Sequence, residues 1–343
     1  MSERVDLIID PKRGRRISVE LPLEQKVPRE EARRRVGVPG FVDLSDPQVG
    51  KAVSLLEAIQ RERPALPVAL FGGTACRLRC PSSNDPASGL RRSLHDIDLA
   101  VPFDEMPRLR LFLEGLAARE GSALQFFETP ADHVFNSYGE GLRLRYHSLL
   151  HVEGNQIELG TLDLIADEFR FCHRIDLRSD LDRAFQSGWT VSPTTLLLTK
   201  LQFIQRIPLA DSALVPERVL EPIGRSGVAI GPEAKDVQDI LALVRDHPLD
   251  GSSESIDPDR LVELTGKDWG LWKTASLTLA MTGRSPVLAG MSAEARADCA
   301  EKIRKIQEAL ARHEPPHRRR LFGGPWWTEV DSPQSIDRAG QIS

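Results

Sequence analysis

The chain has 343 residues, 41% of them apolar, with 45 Lys and Arg against 50 Asp and Glu for a net charge of -5. That length predicts two domains, and the charge balance excludes a protein that binds nucleic acid through an overall basic excess. Four irregularly placed cysteines exclude a disulfide framework, and Cys76 and Cys80 lack the further ligands of a zinc site.

No apolar run reaches membrane-spanning length, and the charged start "MSERVDLIIDPKRGRR" excludes a signal peptide, so a reduced, cytoplasmic protein without membrane contact is expected. In the N-terminal arm (1–45), "RVDLIID" and "RRISVELP" suggest a short hairpin and "REEARRRVG" a helical turn. "DLSDPQVGKAVSLLEAIQRERP" opens on a capping Asp-Pro, carries Val49, Val53, Leu56 and Ile59 at helical spacing, and closes at Pro64. "LPVALFGGTACRLRC" predicts a short strand running into Gly72 and Gly73, with a helix beginning near Thr74. "PSSNDPASGL" then reads as a turn-rich loop.

"HDIDLAVP" and "ALQFFE" are predicted strands with a helix, "DEMPRLRLFLEGLAARE", between them. "LRLRYHSLLHVEG" and "NQIELGTLDLIADEF" are two more strands joined by a Gly-Asn turn. From Pro193 the pattern turns helical: "TTLLLTKLQFIQRI", capped by Thr194, then "EAKDVQDILALVRDH", "DPDRLVELTG", "KDWGLWKTASLTLAMTG" and "SAEARADCAEKIRKIQEALARH". Residues 207–233, with their prolines and glycines, read as a loop or insertion. The expected division is the arm, a mixed α/β domain (46–190), a helical domain (191–314) and a tail (315–343) holding Trp326, Trp327 and "HRRRL", a solvated patch.

The chemistry concentrates on "HDIDLAVP". On a strand Asp96 and Asp98 leave one face while Ile97 and Leu99 leave the other. Carboxylates flanked by apolar residues need a positive partner, and hard oxygen ligands two residues apart suit Mg²⁺. Gly72 and Gly73 allow a ligand close to the backbone and leave N–H groups at a helix start, which suits phosphate. Asp163, between leucines in "GTLDLIADEF", supplies a third carboxylate if its strand lies beside that of Asp96 and Asp98; Glu158, then Asp167, are the alternatives. Three carboxylates with two Mg²⁺ suit in-line phosphoryl or nucleotidyl transfer, one ion held with a triphosphate and the other acidifying an acceptor hydroxyl whose proton Asp163 accepts.

The ordered set "GGT", "RRSLHDIDLAVP" and "LDL" resembles the nucleotidyltransferase superfamily, whose fold is shared with DNA polymerase beta. The R-x-x-H-D-I-D-L wording is similar to antibiotic nucleotidyltransferases and AbiEii-like toxins. "LDLIADEFRFCHRIDL", "LLLTKLQ", "KDVQDI" and "KDWGLWKT" further resemble a group of bacterial nucleotidyltransferase-like proteins, and the likeness covers roughly residues 40–320. It implies an α/β (α+β) core with a mixed β-sheet flanked by helices, plus a C-terminal all-helical domain. The implied reaction moves an NMP from ATP or another NTP to an acceptor hydroxyl, on a small molecule, a tRNA or a protein, with release of pyrophosphate.

By the same resemblance Gly72, Gly73 and Thr74 contact the terminal phosphates. Asp96 and Asp98 bind both metal ions, and Asp163 binds the catalytic one. Lys200 reaches the phosphates, Lys235 and Asp236 close the nucleotide site, and Arg91 or Arg92 neutralises phosphate charge. The loop between Gly73 and Asp96 is longer than in compact members and reads as an insertion or a lid. His95 touches phosphate or is structural; Cys172 and His173 are read as packing, and Trp269 and Trp272 as core of the helical domain. A second reading keeps the fold without turnover, as a nucleotide-binding or protein-interaction module of a toxin–antitoxin or regulatory pair.

Overall fold

A computed structural model describes residues 3–10, 15–21, 47–62, 66–94, 96–118, 125–127, 132, 136, 143–152, 155–181, 189–208, 219–223, 227–252, 254–316 and 326–327. The expectations for "REEARRRVG", His95, the Gly-Asn turn and "HRRRL" fall outside these residues, as does the side chain of Glu158.

The arm forms an antiparallel hairpin of β1 (Glu3–Asp10) and β2 (Arg15–Leu21). Helix α1 (Pro47–Gln60) buries Val49, Val53, Leu56 and Ile59, the apolar stripe of its helical spacing. Strand β3 (Ala69–Phe71) passes directly into α2 (Gly72–Arg79). The helix thus starts two residues before Thr74, because Gly72 takes a left-handed φ of 68° that turns the chain sharply out of the strand. The expected loop is instead α3 (Pro81–Asn84) and a 3-10 turn at Pro86–Ser88. Both open on proline, whose missing N–H costs nothing in a first turn.

Strand β4 (Asp96–Val101) leads to α4 (Met106–Ala118), β5 (Gln125–Phe127), β6 (Arg143–Val152) and β7 (Asn155–Ala166). These build one mixed sheet in the order β3-β4-β7-β6-β5, with β4 and β7 parallel and the other pairs antiparallel. A mixed sheet flanked by helices is the fold class expected from the sequence. On one sheet face Ile97 and Leu99 of β4, Leu162 and Leu164 of β7, and Leu144 and Tyr146 of β6 are all buried. Each such side chain contributes about 1.5–3 kcal/mol by leaving water. This face anchors the sheet and turns the intervening residues to the other side.

After β7 come the short pair β8 (Glu168–Arg170) and β9 (Arg174–Asp176), then α5 (Pro193–Lys200). The cap of α5 is Ser192, not Thr194: its hydroxyl accepts from the Thr195 N–H at 3.2 Å. Where a loop was expected, β10 (Gln205–Pro208), β11 (Leu220–Ile223) and β12 (Gly227–Ile230) form a small antiparallel sheet in the order β10-β12-β11. Its prolines, Pro208 and Pro222, lie on the two edge strands, where an absent N–H breaks no ladder.

Helices α6 (Ala234–Asp246), α7 (Pro258–Thr265), α8 (Trp269–Thr282) and α9 (Ala293–Arg312) complete the chain. One apolar cluster runs from Val49 in α1 to Leu310 in α9. Trp272 is buried in it and donates to the Leu310 carbonyl at 2.9 Å, while Trp326 donates to Thr274 Oγ1 at 3.1 Å beside a buried Trp327. Cys172 and His173 are buried, the His173 ring 2.8 Å from Thr274 Oγ1, as packing residues would be. No helix among the described residues is long and apolar enough to cross a membrane.

Candidate active site

The polar face of the sheet follows from register. Since β4 and β7 are parallel with Asp98 opposite Asp163, and β6 and β7 antiparallel with Arg145 opposite Asp163, one row across three strands reads Asp98–Asp163–Arg145. The flanking rows read Asp96–Thr161–His147 and Ala100–Ile165–Arg143. The three acids predicted to converge therefore share one face of two adjacent strands. Asp96 and Asp98 are half-buried; Asp163 is buried.

The Gly72–Gly73 turn closes over this row. A Cβ on Gly72 would stand 1.9 Å from Asp98 Oδ2, and one on Gly73 would stand 1.8 Å from Arg92 Nη2. Only glycine lets a carboxylate and a guanidinium approach the backbone so closely. No side chain caps the start of α2, and its first residues, Gly72 and Gly73, are buried beside Asp98 and Arg92. Thr74 is turned inward: its hydroxyl donates to the Asp96 carbonyl at 2.8 Å and ties α2 to the start of β4.

Behind the turn lies a buried group of charges. Arg92 grips Asp239 through Nε and Nη2, both at 2.8 Å, and Lys200 Nζ is 2.9 Å from Asp236 Oδ1 and 2.9 Å from Asp239 Oδ2. Burial disfavours the Lys200 ammonium, but Asp236 and Asp239 outweigh it and hold its pKa above the ordinary value. Burial likewise works against Arg92, and Asp239 more than compensates. Asp239 is itself penalised by burial yet held below the usual carboxylate range by Lys200 and Arg92.

At the acids the balance is uneven. Burial and the like charges of Asp96 and Asp163 push the Asp98 carboxyl well above the usual range. Burial would raise Asp163 too, but the hydrogen bond from Arg145 and the charge of Arg143 hold it below. Arg145 reaches Asp163 with Nε at 2.8 Å and Nη2 at 3.0 Å, and Arg143 Nη2 reaches it at 2.7 Å.

Of the predicted site residues, the structure gathers Gly72, Gly73, Asp96, Asp98, Asp163 and Arg92, with Lys200 and Asp236 behind them. Lys235 is not in this group; it lies on the exposed start of α6, 3.2 Å from Glu233. Arg91 is exposed, with Nη1 3.5 Å from the Asn84 carbonyl. Asp167 stands at a turn with φ 55°, accepting from the Phe103 N–H at 3.0 Å. Asp239, Arg143 and Arg145 were missed. Asp239 had a signal, three residues beyond Asp236 and so on the same helix face; the arginines alternate in "LRLRY" as one face of a strand should.

The donor set suits a hard divalent cation. Two carboxylates on one strand face, one of them disfavoured as an anion among like charges, are what Mg²⁺ takes when substrate phosphates and water supply its other ligands. Among the described residues no three His, Cys, Asp or Glu side chains lie close enough to hold a metal ion by themselves. Asp163 is held by Arg143 and Arg145, so Asp96 and Asp98 are the two carboxylates that could hold such an ion.

No family model matches this chain, and no curated protein matches it, so neither adds support to the likeness to AbiEii-like toxins. Among solved structures, the solution structure of the antibiotic-resistance factor ANT(2'')-Ia is similar at 13% identity, covering 78% of this chain and 97% of that one, with a TM-score of 0.25. So loose a superposition places no residue, and the functional reading stands on the geometry described above.

Proposed function

We propose that the chain is a nucleotidyltransferase that moves an NMP from an NTP to an acceptor hydroxyl. The observation that supports this best is the placing of Asp96, Asp98 and Asp163 on one face of β4 and β7, with Asp98 against the Gly72 backbone. Bound Mg²⁺ would be held by Asp96 and Asp98 and would supply charge neutralisation for the phosphates.

The chain's own residues account for the remaining work. The N–H groups at the start of α2 bind the terminal phosphates, and Arg92, held by Asp239, adds its cation at the same turn. The acceptor oxygen attacks the α-phosphorus, and the bond to the β-phosphate bridging oxygen breaks. Pyrophosphate leaves with the electron pair, and the acceptor proton passes to the Asp163 carboxylate. The division into a nucleotidyltransferase part (46–190) and a helical part (191–314) belongs to this proposal, as does a small hydroxylated molecule, a tRNA or a protein as acceptor.

One observation favours the second reading, a nucleotide-binding module without turnover: Asp163 is already engaged by two arginines. Incubation with each labelled NTP, Mg²⁺ and candidate acceptors separates the two. Transfer predicts pyrophosphate release that Asp96→Ala and Asp98→Ala abolish. Nucleotide binding with no release supports the module, and release unchanged in both variants overturns the mechanism.

A further inference from the structure

Arg143 and Arg145 have no part in the reaction as written, yet they lie on the same polar face of the sheet. We propose that they form the acceptor's binding subsite, taking a carboxylate or phosphate group of the acceptor, and that this anion frees Asp163 as it binds. The proposal rests on the nucleotidyl-transfer reading of the site.

The subsite is built, not incidental. Arg145 lies directly opposite Asp163, and its backbone N–H and C=O are both taken by Asn136, at 2.7 Å to Oδ1 and 3.0 Å from Nδ2. Those backbone groups therefore face away from β7, which makes Arg145 and Asp163 a non-hydrogen-bonded pair, the kind whose side chains stand closest. Arg143 follows two residues away on the same face.

Access differs between the partners. The Arg143 and Arg145 side chains keep 29% and 20% of their surface, whereas Asp163 keeps 5%. A solute arriving from solvent meets the guanidiniums before it meets the acid.

Charge then selects the chemistry. Three N–H···O contacts occupy the Asp163 carboxylate. Asp163 cannot hold both forks and also accept an acceptor proton. When it turns to the reaction, two half-buried guanidiniums lose these three contacts, which an incoming oxyanion can replace. The planar forks match a carboxylate or phosphate. No bond is made or broken at this subsite; the arginines exchange one oxyanion for another. The exchange couples acceptor arrival to a free Asp163 and restrains attack by water when the acceptor is absent.

The test uses the full chain without nucleotide, titrated in a calorimeter with inorganic phosphate, D-glycerate and neutral glycerol at fixed ionic strength. Phosphate or glycerate is expected to bind while glycerol does not, and the preferred anion tells phosphate from carboxylate. Arg143→Gln with Arg145→Gln is expected to weaken the anion at least tenfold. Asp163→Asn, which removes the competing carboxylate, is expected to strengthen it at least tenfold.

Arg145→Lys, which keeps the charge and loses the fork, is the second variant should the double glutamine change not fold; it is expected to weaken the anion severalfold. Three results overturn the proposal: glycerol binding as well as the anions, no anion binding to wild type or Asp163→Asn, or binding indifferent to these substitutions. Titration with each NTP and Mg²⁺ reads the parent proposal separately. If no NTP binds, nucleotidyl transfer fails whatever the anions do; if NTP binds and the anions do not respond to the arginines, only the subsite fails.

Discussion

At Gly73 a single methyl group has nowhere to go. Its Cβ would fall 1.8 Å from Arg92 Nη2, and Arg92 is fixed by two 2.8 Å contacts to buried Asp239. Gly73→Ala is expected to displace Arg92, raise the Kd for NTP about tenfold and cost about 1–3 kcal/mol, the usual penalty of overpacking. Gly115→Ala, in α4 with open space around it, is the control and is expected to leave nucleotide binding unchanged. Calorimetric titration with NTP and urea unfolding check both. His247 carries a second residue-scale prediction. Burial pushes its pKa down from 6.5 to about 4, while its ring stands 2.8 Å from the Glu254 carbonyl. Above pH 6.5 the ring is neutral folded or unfolded, and stability does not depend on it. As pH falls from 6.5 to about 4 only the unfolded chain gains the proton, so stability is lost across that window. The loss is on the order of 3 kcal/mol. Unfolding free energies at several pH values should show a shallower acid slope in His247→Asn than in wild type; equal slopes would remove His247 from the account.

At the scale of elements, the buried charges join three of them. Lys200 ends α5, Asp236 and Asp239 lie on α6, and Arg92 precedes β4. Lys200→Met would leave Asp236 and Asp239 buried with Arg92 as the remaining cation, at a cost of about 3–5 kcal/mol measured by urea unfolding. A neutral result would mean that the group is held by packing and not by charge. Much of what surrounds this network was legible beforehand. The period-two alternation of "HDIDLAVP" gave both the strand and its acidic face, and "GTLDL" gave Asp163 by the same logic. Partnership across strands was not legible, because it depends on register: shifting β6 by one residue against β7 would turn Arg143 and Arg145 to the opposite face. That is why the arginines on Asp163 escaped notice although their alternation was in view. The four-residue strands β10 to β12 were hidden for another reason, being too short for any period to show. The start of α2 was misplaced because a left-handed glycine inside a helix start leaves no mark beyond the glycine itself.

At the scale of the molecule, one sheet divides the labour. Its apolar face, Ile97, Leu99, Leu144, Tyr146, Leu162 and Leu164, belongs to the cluster that extends into the C-terminal helices. Its other face holds acids whose crowding costs stability that the apolar face offsets. Acids retained at such a place point to function, since a fold needs none of them there. Asp98→Asn therefore separates function from structure most directly. It removes one charge and almost no volume. Pyrophosphate release with NTP, Mg²⁺ and acceptor is expected to fall at least a hundredfold, while the urea midpoint stays equal to wild type or rises. Full release in a well-folded Asp98→Asn protein would contradict the account, and so would a midpoint that collapses along with activity, because Asp98 would then be serving the fold.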